Sequence, residues 1–259
     1  MPESLLTGGS IPATPSRSVV ARSRRLAAVG GACLVSLCLA GSAAAQTVEE
    51  LVAKNLQARG GVEKIKAAQT LKMTAKLNSQ GMDLPMTLYA KRPNLTRKEL
   101  TLGPQKMLFV FDGMNAWQVN PMAPGGEPVV VTGPELETIK QESDFDSPFV
   151  DYKARGYEIA LVGTETTGGR ALHHLKLTKN GTTQDCYLDV ETGLEAKTVN
   201  QGPMGVLEQD FLDYRDVQGV KMPFLVRTLQ NGVRVAEIKI DTIEVNGPVD
   251  EGLFKKPAK

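Results

Sequence analysis

Apolar and polar residues alternate over much of the chain beyond residue 70, which is the pattern of half-buried β-strands. In segment 70–78 the apolar positions are Leu71, Met73, Ala75 and Leu77. Segment 82–91 repeats the pattern with Met82, Leu84, Met86, Leu88 and Ala90 on one face. Pro85 cannot donate a backbone hydrogen bond, so it predicts an edge strand or a bulge at that point.

Turn signals separate these strand-like runs. Phe109 and Phe111 precede Asp112-Gly113, and Trp117 and Val119 follow it. Asp-Gly tolerates the positive φ angles of a tight hairpin, so Asp112 is predicted to shape a turn and not to serve a reactive cleft. Further turn signals separate strand-like runs at a spacing typical of antiparallel sheets and barrels; they are Asn180-Gly181, Thr192-Gly193, Gln218-Gly219 and Asn231-Gly232.

Helical patterns occur at two places. Thr47 and Glu50 have capping-box spacing ahead of an apolar stripe that Gly60-Gly61 ends, and a second helical piece covers Val62 to Ala68. The proline-rich segment 120–152 interrupts the strands and contains a helical stretch around Pro134 to Ser143, which Thr132 could cap. We interpret this insertion as a lid or linker and not as a domain boundary.

The first 45 residues have the pattern of a secretory signal peptide. Four arginines precede an apolar, small-residue stretch that ends in Ala43-Ala44-Ala45, an A-x-A cleavage signal. Ser42 stands where a lipoprotein signal would have its lipid-accepting cysteine, so we expect a soluble periplasmic product. Ser23-Arg24-Arg25 leaves export by the twin-arginine route open. Residues 46–259 are expected to form a single domain.

Composition and charge exclude several function classes. Residues 1–45 contain four arginines and one glutamate, so the remaining chain has 26 basic and 28 acidic side chains and a net charge of −2. The charges are dispersed, so no nucleic-acid partner is expected. Cys186 is the only cysteine beyond residue 45 and is predicted to be buried filler.

Catalytic and metal-binding patterns are scarce. His173 and His174 are adjacent on a predicted strand and therefore point to opposite faces, so no metal site and no cofactor are predicted. No serine lies in a G-x-S-x-G motif, and no glycine-rich phosphate loop occurs. Paired carboxylates for acid-base chemistry stay open as an alternative; the candidates are Asp144, Asp146, Asp151 and Asp189.

Two motifs resemble those of a known family. KRPN at 91–94, followed by FDGMNAWQVNP at 111–121, is similar in order and spacing to the strand pair of the periplasmic lipoprotein carriers, the lipoprotein-sorting proteins of Gram-negative bacteria. The likeness extends over nearly all of Thr47 to Phe254, and the later part looks like an uncharacterised branch of that superfamily.

The resemblance implies an α+β fold, an unclosed antiparallel half-barrel of about eleven strands with N-terminal and mid-chain helices that form a lid over an apolar face. Flexible methionines on that face suit irregular apolar ligands. We therefore expect a lipid-binding surface formed by Leu71, Met73, Leu77, Leu84, Met86, Leu88, Phe109, Phe111 and Trp117.

The same resemblance assigns a role to Arg92, which would hydrogen-bond to the lid helices in the closed, empty state. It implies a monomeric, non-enzymatic carrier of the acyl chains of lipoproteins or other lipids, served by an inner-membrane release transporter and an outer-membrane acceptor. Two alternatives stay open. One is a sensing or interaction module on the same fold that detects lipidated or misfolded envelope proteins, and the other is an unrecognised hydrolase.

Overall fold

The computed structural model describes residues 46–202 and 205–258, and the predicted signal peptide and its cleavage site lie outside them. Three α-helices are described: α1 (Val48–Ala58), α2 (Val62–Ala67) and α3 (Gly133–Glu142). Short 3-10 helices cover Pro124–Gly126 and Glu251–Phe254. The first six strands are β1 (Thr70–Ser79), β2 (Met82–Lys91), β3 (Leu95–Leu102), β4 (Gln105–Phe111), β5 (Ala116–Val119) and β6 (Val129–Val131). The remaining seven are β7 (Glu158–Thr167), β8 (Arg170–Lys179), β9 (Thr182–Asp189), β10 (Glu195–Gly202), β11 (Gly205–Val217), β12 (Val220–Gln230) and β13 (Val233–Val245).

All the described strands belong to one antiparallel sheet. Its order is β6-β5-β4-β3-β2-β1-β13-β12-β11-β10-β9-β8-β7, so two meanders meet where β1 pairs with β13. In the described part of the chain β6 and β7 are the two edges and do not pair with each other. The predicted unclosed antiparallel half-barrel is confirmed, with thirteen strands instead of about eleven. One additional strand, β6, lies inside the proline-rich insertion, where the sequence pattern predicts an interruption of the strands.

One face of the sheet, here called the inner face, carries Leu71, Met73, Ala75 and Leu77 of β1. The register places Ala90, Leu88, Met86 and Leu84 of β2 directly opposite them. On the other side of β1, the inner face continues through Val245, Ile243, Ile240 and Ile238 of β13. A bulge in β13 at Asp241 keeps these isoleucines on the same face although their spacing changes from two to three.

Helix α1 covers the inner face of the second meander. Thr47 and Glu50 form the predicted capping box, with both reciprocal hydrogen bonds present. Leu51 and Val52 are buried in a cluster of apolar residues from β8 and β9. The buried Asn55 donates a hydrogen bond of 2.9 Å to the carbonyl of Gly193, which ties the helix to the β9–β10 turn.

Two local predictions, for Thr132 and Pro85, have different outcomes. Thr132 is the N-cap residue of α3, but its side chain makes no capping hydrogen bond. Pro85 lies in an inner strand, but at a point where β2 pairs with β1 and not with β3, so its position is locally an edge, as predicted. It is tolerated there because the pairing of β2 with β3 begins only at Met86, which leaves the missing N–H of Pro85 without a partner to satisfy.

Gly60 provides a test of how α1 docks on the sheet. The backbone N–H of Lys221 donates to the carbonyl of Arg59 at 2.8 Å, and a Cβ on Gly60 would lie 2.0 Å from the carbonyl oxygen of Gly219. Gly60→Ala should therefore force the helix end away from the β11–β12 turn and destabilise the fold by about 1–3 kcal/mol through that clash. The midpoint of denaturant unfolding measures the change.

The matched control is Gly61→Ala. Gly61 also has a positive φ, +95° against +117° for Gly60, but a Cβ there meets no atom within 4 Å. Both variants share the backbone strain, so the difference between their unfolding midpoints reports the contact with Gly219. Equal midpoints would contradict the proposed docking contact.

Candidate functional site

A cavity of about 650 Å³ lies between the inner face and the segments that cover it. Strands β1–β4, β12 and β13 form its floor, and α2, α3 and residues 143–147 form its cover. Most of the floor is aliphatic or aromatic. The volume falls in the range of roughly 300–1,000 Å³ typical of small-molecule sites.

Six of the nine residues predicted to bind lipid line this cavity. They are Leu71, Met73, Met86, Leu88, Phe109 and Phe111. Strand periodicity brings them together, because each occupies an inner-face position in neighbouring strands. Their contact with a lipid stays a prediction.

Leu77 and Leu84 share the inner face but lie outside the cavity lining. They form a directly opposed pair at the far ends of β1 and β2, and Leu77 packs against the buried cluster that contains Ala75 and Met86. Their role in the structure is to extend the apolar floor beyond the cavity.

The position predicted for Trp117 is wrong. Trp117 lies opposite Val110, whereas Phe109 lies opposite Gln118, so the tryptophan is on the outer face of the sheet. The prediction assumed that the alternation of faces continues unchanged through the turn. The four-residue loop 112–115 pairs Phe111 with Ala116, which gives Trp117 the opposite face to Phe109 and Phe111.

The proline-rich insertion covers one end of the inner face, which agrees with its interpretation as a lid or linker. Leu136 and Ile139 of α3 pack against Phe111, Ala116 and Val131. After α3, the hydroxyl groups of Ser143 and Thr96 lie 2.8 Å apart, and the backbone N–H of Phe145 donates to the carbonyl of Pro93 at 3.2 Å. We call α3 together with residues 143–147 the lid.

Arg92 joins three segments at this end of the cavity. Immediately after β2, its guanidinium donates to the carbonyls of Ala68 and Ile65, at 2.5 Å and 3.0 Å, where α2 ends. It also makes a bidentate salt bridge to Asp146, with 2.7 Å between Nη2 and Oδ1. The guanidinium carbon lies 4.6 Å from the centre of the Phe145 ring. Such a fork of donors can satisfy helix-terminal carbonyls and a carboxylate at once.

A second arginine supports the lid from the other side. Arg155 pairs with Asp144 at 2.8 Å and donates to the carbonyl of Ser147 at 2.7 Å. Lys179 of β8 lies 3.8 Å from the same carboxylate. The lid is therefore attached to both halves of the sheet through charged contacts.

The carboxylates considered for acid-base chemistry are engaged with cations. Asp144 and Asp146 pair with arginines as described, Asp151 lies 2.6 Å from Lys66, and Asp189 lies 2.8 Å from Arg170. Burial acts to raise the pKa of Asp189, but hydrogen bonds from Thr192 and Arg170 outweigh it, so the pKa is lowered. These contacts favour the ionised form of the Asp189 carboxylate.

Asp112 and Cys186, also candidates from the sequence, lie in surroundings that fit structural roles. Asp112 accepts hydrogen bonds from the backbone N–H groups of Met114 and Asn115, and these outweigh burial and lower its pKa, as a turn-shaping residue requires. Burial, assisted by the nearby Glu195, raises the pKa of the Cys186 thiol well above its ordinary value.

The two histidines, His173 and His174, do not form a common site. His173 is buried with Nδ1 3.0 Å from the Thr164 hydroxyl, and its pKa is lowered by burial and by Lys54. His174 lies 2.8 Å from Asp185. Among residues 46–202 and 205–258, no group of three His, Cys, Asp or Glu side chains is placed to hold a metal ion.

The second half of the cavity floor is formed by residues that were not among those predicted to bind lipid. Met222, Ile238, Ile240 and Ile243 complete it from β12 and β13. The alternation in 233–245 contains the signal for Ile238 and Ile240, but the bulge at Asp241 hides that Ile243 belongs to the same face. Lys98, a charged residue at an inner-face position, was also missed.

No helix in the described part of the chain is long and apolar enough to cross a membrane. Neither a family model nor a curated protein matches the chain.

Solved structures do match. A DUF1329 family protein from Desulfovibrio piger has a TM-score of 0.59 and 14% sequence identity, over 82% of this chain and 98% of that one. A LolA superfamily protein from Nitrosomonas europaea has a TM-score of 0.54 and 12% identity, over 82% and 99% of the two chains. A putative outer membrane lipoprotein-sorting protein domain from Vibrio parahaemolyticus has a TM-score of 0.53 and 12% identity, over 79% and 97%. The resemblance found in the sequence is thereby confirmed at the level of the fold, which this chain shares with proteins of the LolA superfamily.

Proposed function

We propose that the protein is a periplasmic carrier that holds the acyl chain of a lipoprotein or another lipid in its cavity during transfer toward the outer membrane. The observation that carries this proposal is the apolar cavity of about 650 Å³ under a lid that is fastened by polar contacts. The shared fold with a putative lipoprotein-sorting domain supports the same assignment.

Hydrocarbon burial alone can supply the affinity. Removing one methylene group from water contributes about 0.8 kcal/mol, so an acyl chain with about ten buried methylenes gains about 8 kcal/mol before ordering costs. The aliphatic and methionine side chains of β1, β2, β12 and β13 offer such a surface. No reacting group is needed for this function.

Release requires a competing interaction, and Arg92 is placed to provide it. Its contacts with α2 and Asp146 stabilise the closed lid, and a chain that enters beneath the lid must strain or open those contacts. The free energy of closure therefore opposes cargo retention. We propose that an acceptor at the outer membrane receives the cargo when the lid closes again.

Filling the cavity tests the location of the site. Met73→Trp places a larger ring on the inner face of β1, so it should weaken binding of a fluorescent acyl probe about tenfold or more because fewer methylenes fit. A fluorescence titration of the purified protein gives the dissociation constant.

The neighbouring residue supplies a matched control. Lys72 lies on the outer face of the same strand, so Lys72→Trp should bind the probe as the wild type does. Equal weakening by both variants would place the acyl site elsewhere, and absence of probe binding by the wild type would contradict the proposed carrier.

Removing the Arg92 side chain tests the release mechanism. The charge-assisted hydrogen bonds of Arg92 form only in the closed state, and their removal, worth roughly 1.5–3 kcal/mol, should raise the open population about tenfold or more. Arg92→Leu should therefore retain lipid more strongly through purification and transfer it more slowly to acceptor vesicles. Mass spectrometry of the bound lipid and a vesicle transfer assay measure the two effects.

Arg234→Leu is the control for loss of an arginine. Arg234 is exposed near the start of β13 and pairs with Glu237, outside the cavity lining. It should behave as the wild type in both assays. If Arg92→Leu also matches the wild type in retention and transfer rate, Arg92 does not control the lid.

A further inference from the structure

We propose that Lys98 selects cargo in which the acyl chain ends in an anionic group, either a carboxylate or a phosphate. The inference rests on the proposed function, because it assigns a chemical class to the ligand of the same cavity. Lys98 would distinguish such lipids from neutral acyl esters, which have the acyl chain but no charge.

Lys98 occupies an inner-face position on β3, one strand in from the β4 side of the apolar floor. The register of β3 places it between Leu88 of β2 and Phe109 of β4, both of which line the cavity. Thr96 and Leu100 flank it on the same face of β3. A strand residue at this position cannot direct its side chain to the outer face without a change of register.

The ammonium group lacks an anionic partner within the described residues. It lies over the Phe109 ring, at 4.9 Å from Nζ to the ring centre, and no described carboxylate makes an ion pair with it. Other lysines of the sheet differ in this respect: the exposed Lys76 and Lys176 also make no ion pair within the described residues, whereas others do. Lys106 on β4, for example, lies 2.6 Å from Glu99 on the outer face.

The carboxylates that line the cavity are either paired with arginines or exposed to solvent. Asp144 and Asp146 pair with Arg155 and Arg92, and Glu135 and Glu142 lie on the exposed surface of α3. The partly buried Lys98 is therefore a cation on an apolar floor. An apolar environment makes an unpaired charge costly, so an anion that arrives with the acyl chain would pair with it favourably.

Competition between ligands separates the contribution of the acyl chain to binding from that of the charged group. A neutral fluorescent acyl probe is displaced from the purified protein by dodecanoate, dodecyl phosphate, methyl dodecanoate or inorganic phosphate. The wild type should bind at least one of the two anionic lipids roughly tenfold or more tightly than the methyl ester, as expected for one charge-assisted contact. Whichever anion binds more tightly identifies the headgroup, and inorganic phosphate should not displace the probe.

Three variants isolate the role of the charge. Lys98→Met, which keeps an unbranched apolar side chain, should lose the preference for the anionic lipids while it retains binding of methyl dodecanoate. Lys98→Arg should preserve the preference. Lys76→Met, which removes an exposed lysine from the outer face of β1, should match the wild type.

If the wild type and Lys98→Met prefer the anionic lipids over methyl dodecanoate equally, the assignment of Lys98 is overturned and the proposed carrier is unaffected. Displacement by inorganic phosphate as effective as that by dodecyl phosphate would also overturn it, because the site would then recognise an anion without its chain. Failure of the wild type to bind the probe or any of the lipids would overturn the proposed carrier and this inference together.

Discussion

The bidentate salt bridge between Arg92 and Asp146 is the interaction on which the geometry of the cavity depends. Asp146 belongs to the lid, and Arg92 also donates to the two carbonyls at the end of α2. One side chain thus fixes the lid and the second helix relative to the end of β2. Without it, the lid would lose its salt bridge to the end of β2 but would keep the contacts of Arg155, Ser143 and Phe145.

The sheet explains why such a cover is needed. Its inner face runs from the first meander through β13 and β12 into the second, and it is apolar along most of that path. Helix α1 packs directly on β8 and β9, so that half becomes a filled core. Over β1–β4, β12 and β13 the cover leaves a cavity instead. An apolar surface in this arrangement gains free energy from any hydrophobic guest that replaces water.

A carrier needs a balance between the free energy of cargo burial and the free energy of lid closure. In the proposed mechanism, burial of a chain would stabilise the loaded state by an amount that grows with each methylene, whereas the contacts of Arg92 would stabilise the empty, closed state by a nearly fixed amount. A ligand can shift such a two-state equilibrium only by its differential affinity for the two states. Cargo length and the strength of the lid contacts would together set how readily lipid is released.

Sequence patterns predicted much of this architecture because their physical basis is local. Alternation in 70–78 and 82–91 and the capping box at Thr47 predicted the correct strands and helix. Four of the six cavity residues lie in those two segments, and Phe109 and Phe111 lie in the strand before Asp112. Trp117 was misplaced because its face depends on the length of the preceding loop, and Ile243 was missed because a bulge interrupts its period. The partnership of Arg92 with Asp146 joins residues 54 positions apart, so alternation alone contains no signal for it.

Native mass spectrometry tests the central claim most directly, when the protein is purified without detergent from the cells that make it. The account predicts a mass shift equal to one bound lipid, which is lost on delipidation and restored when an acyl ligand is added. A protein that carries no lipid as isolated and takes none up after delipidation would contradict the claim that the cavity is a lipid-binding site.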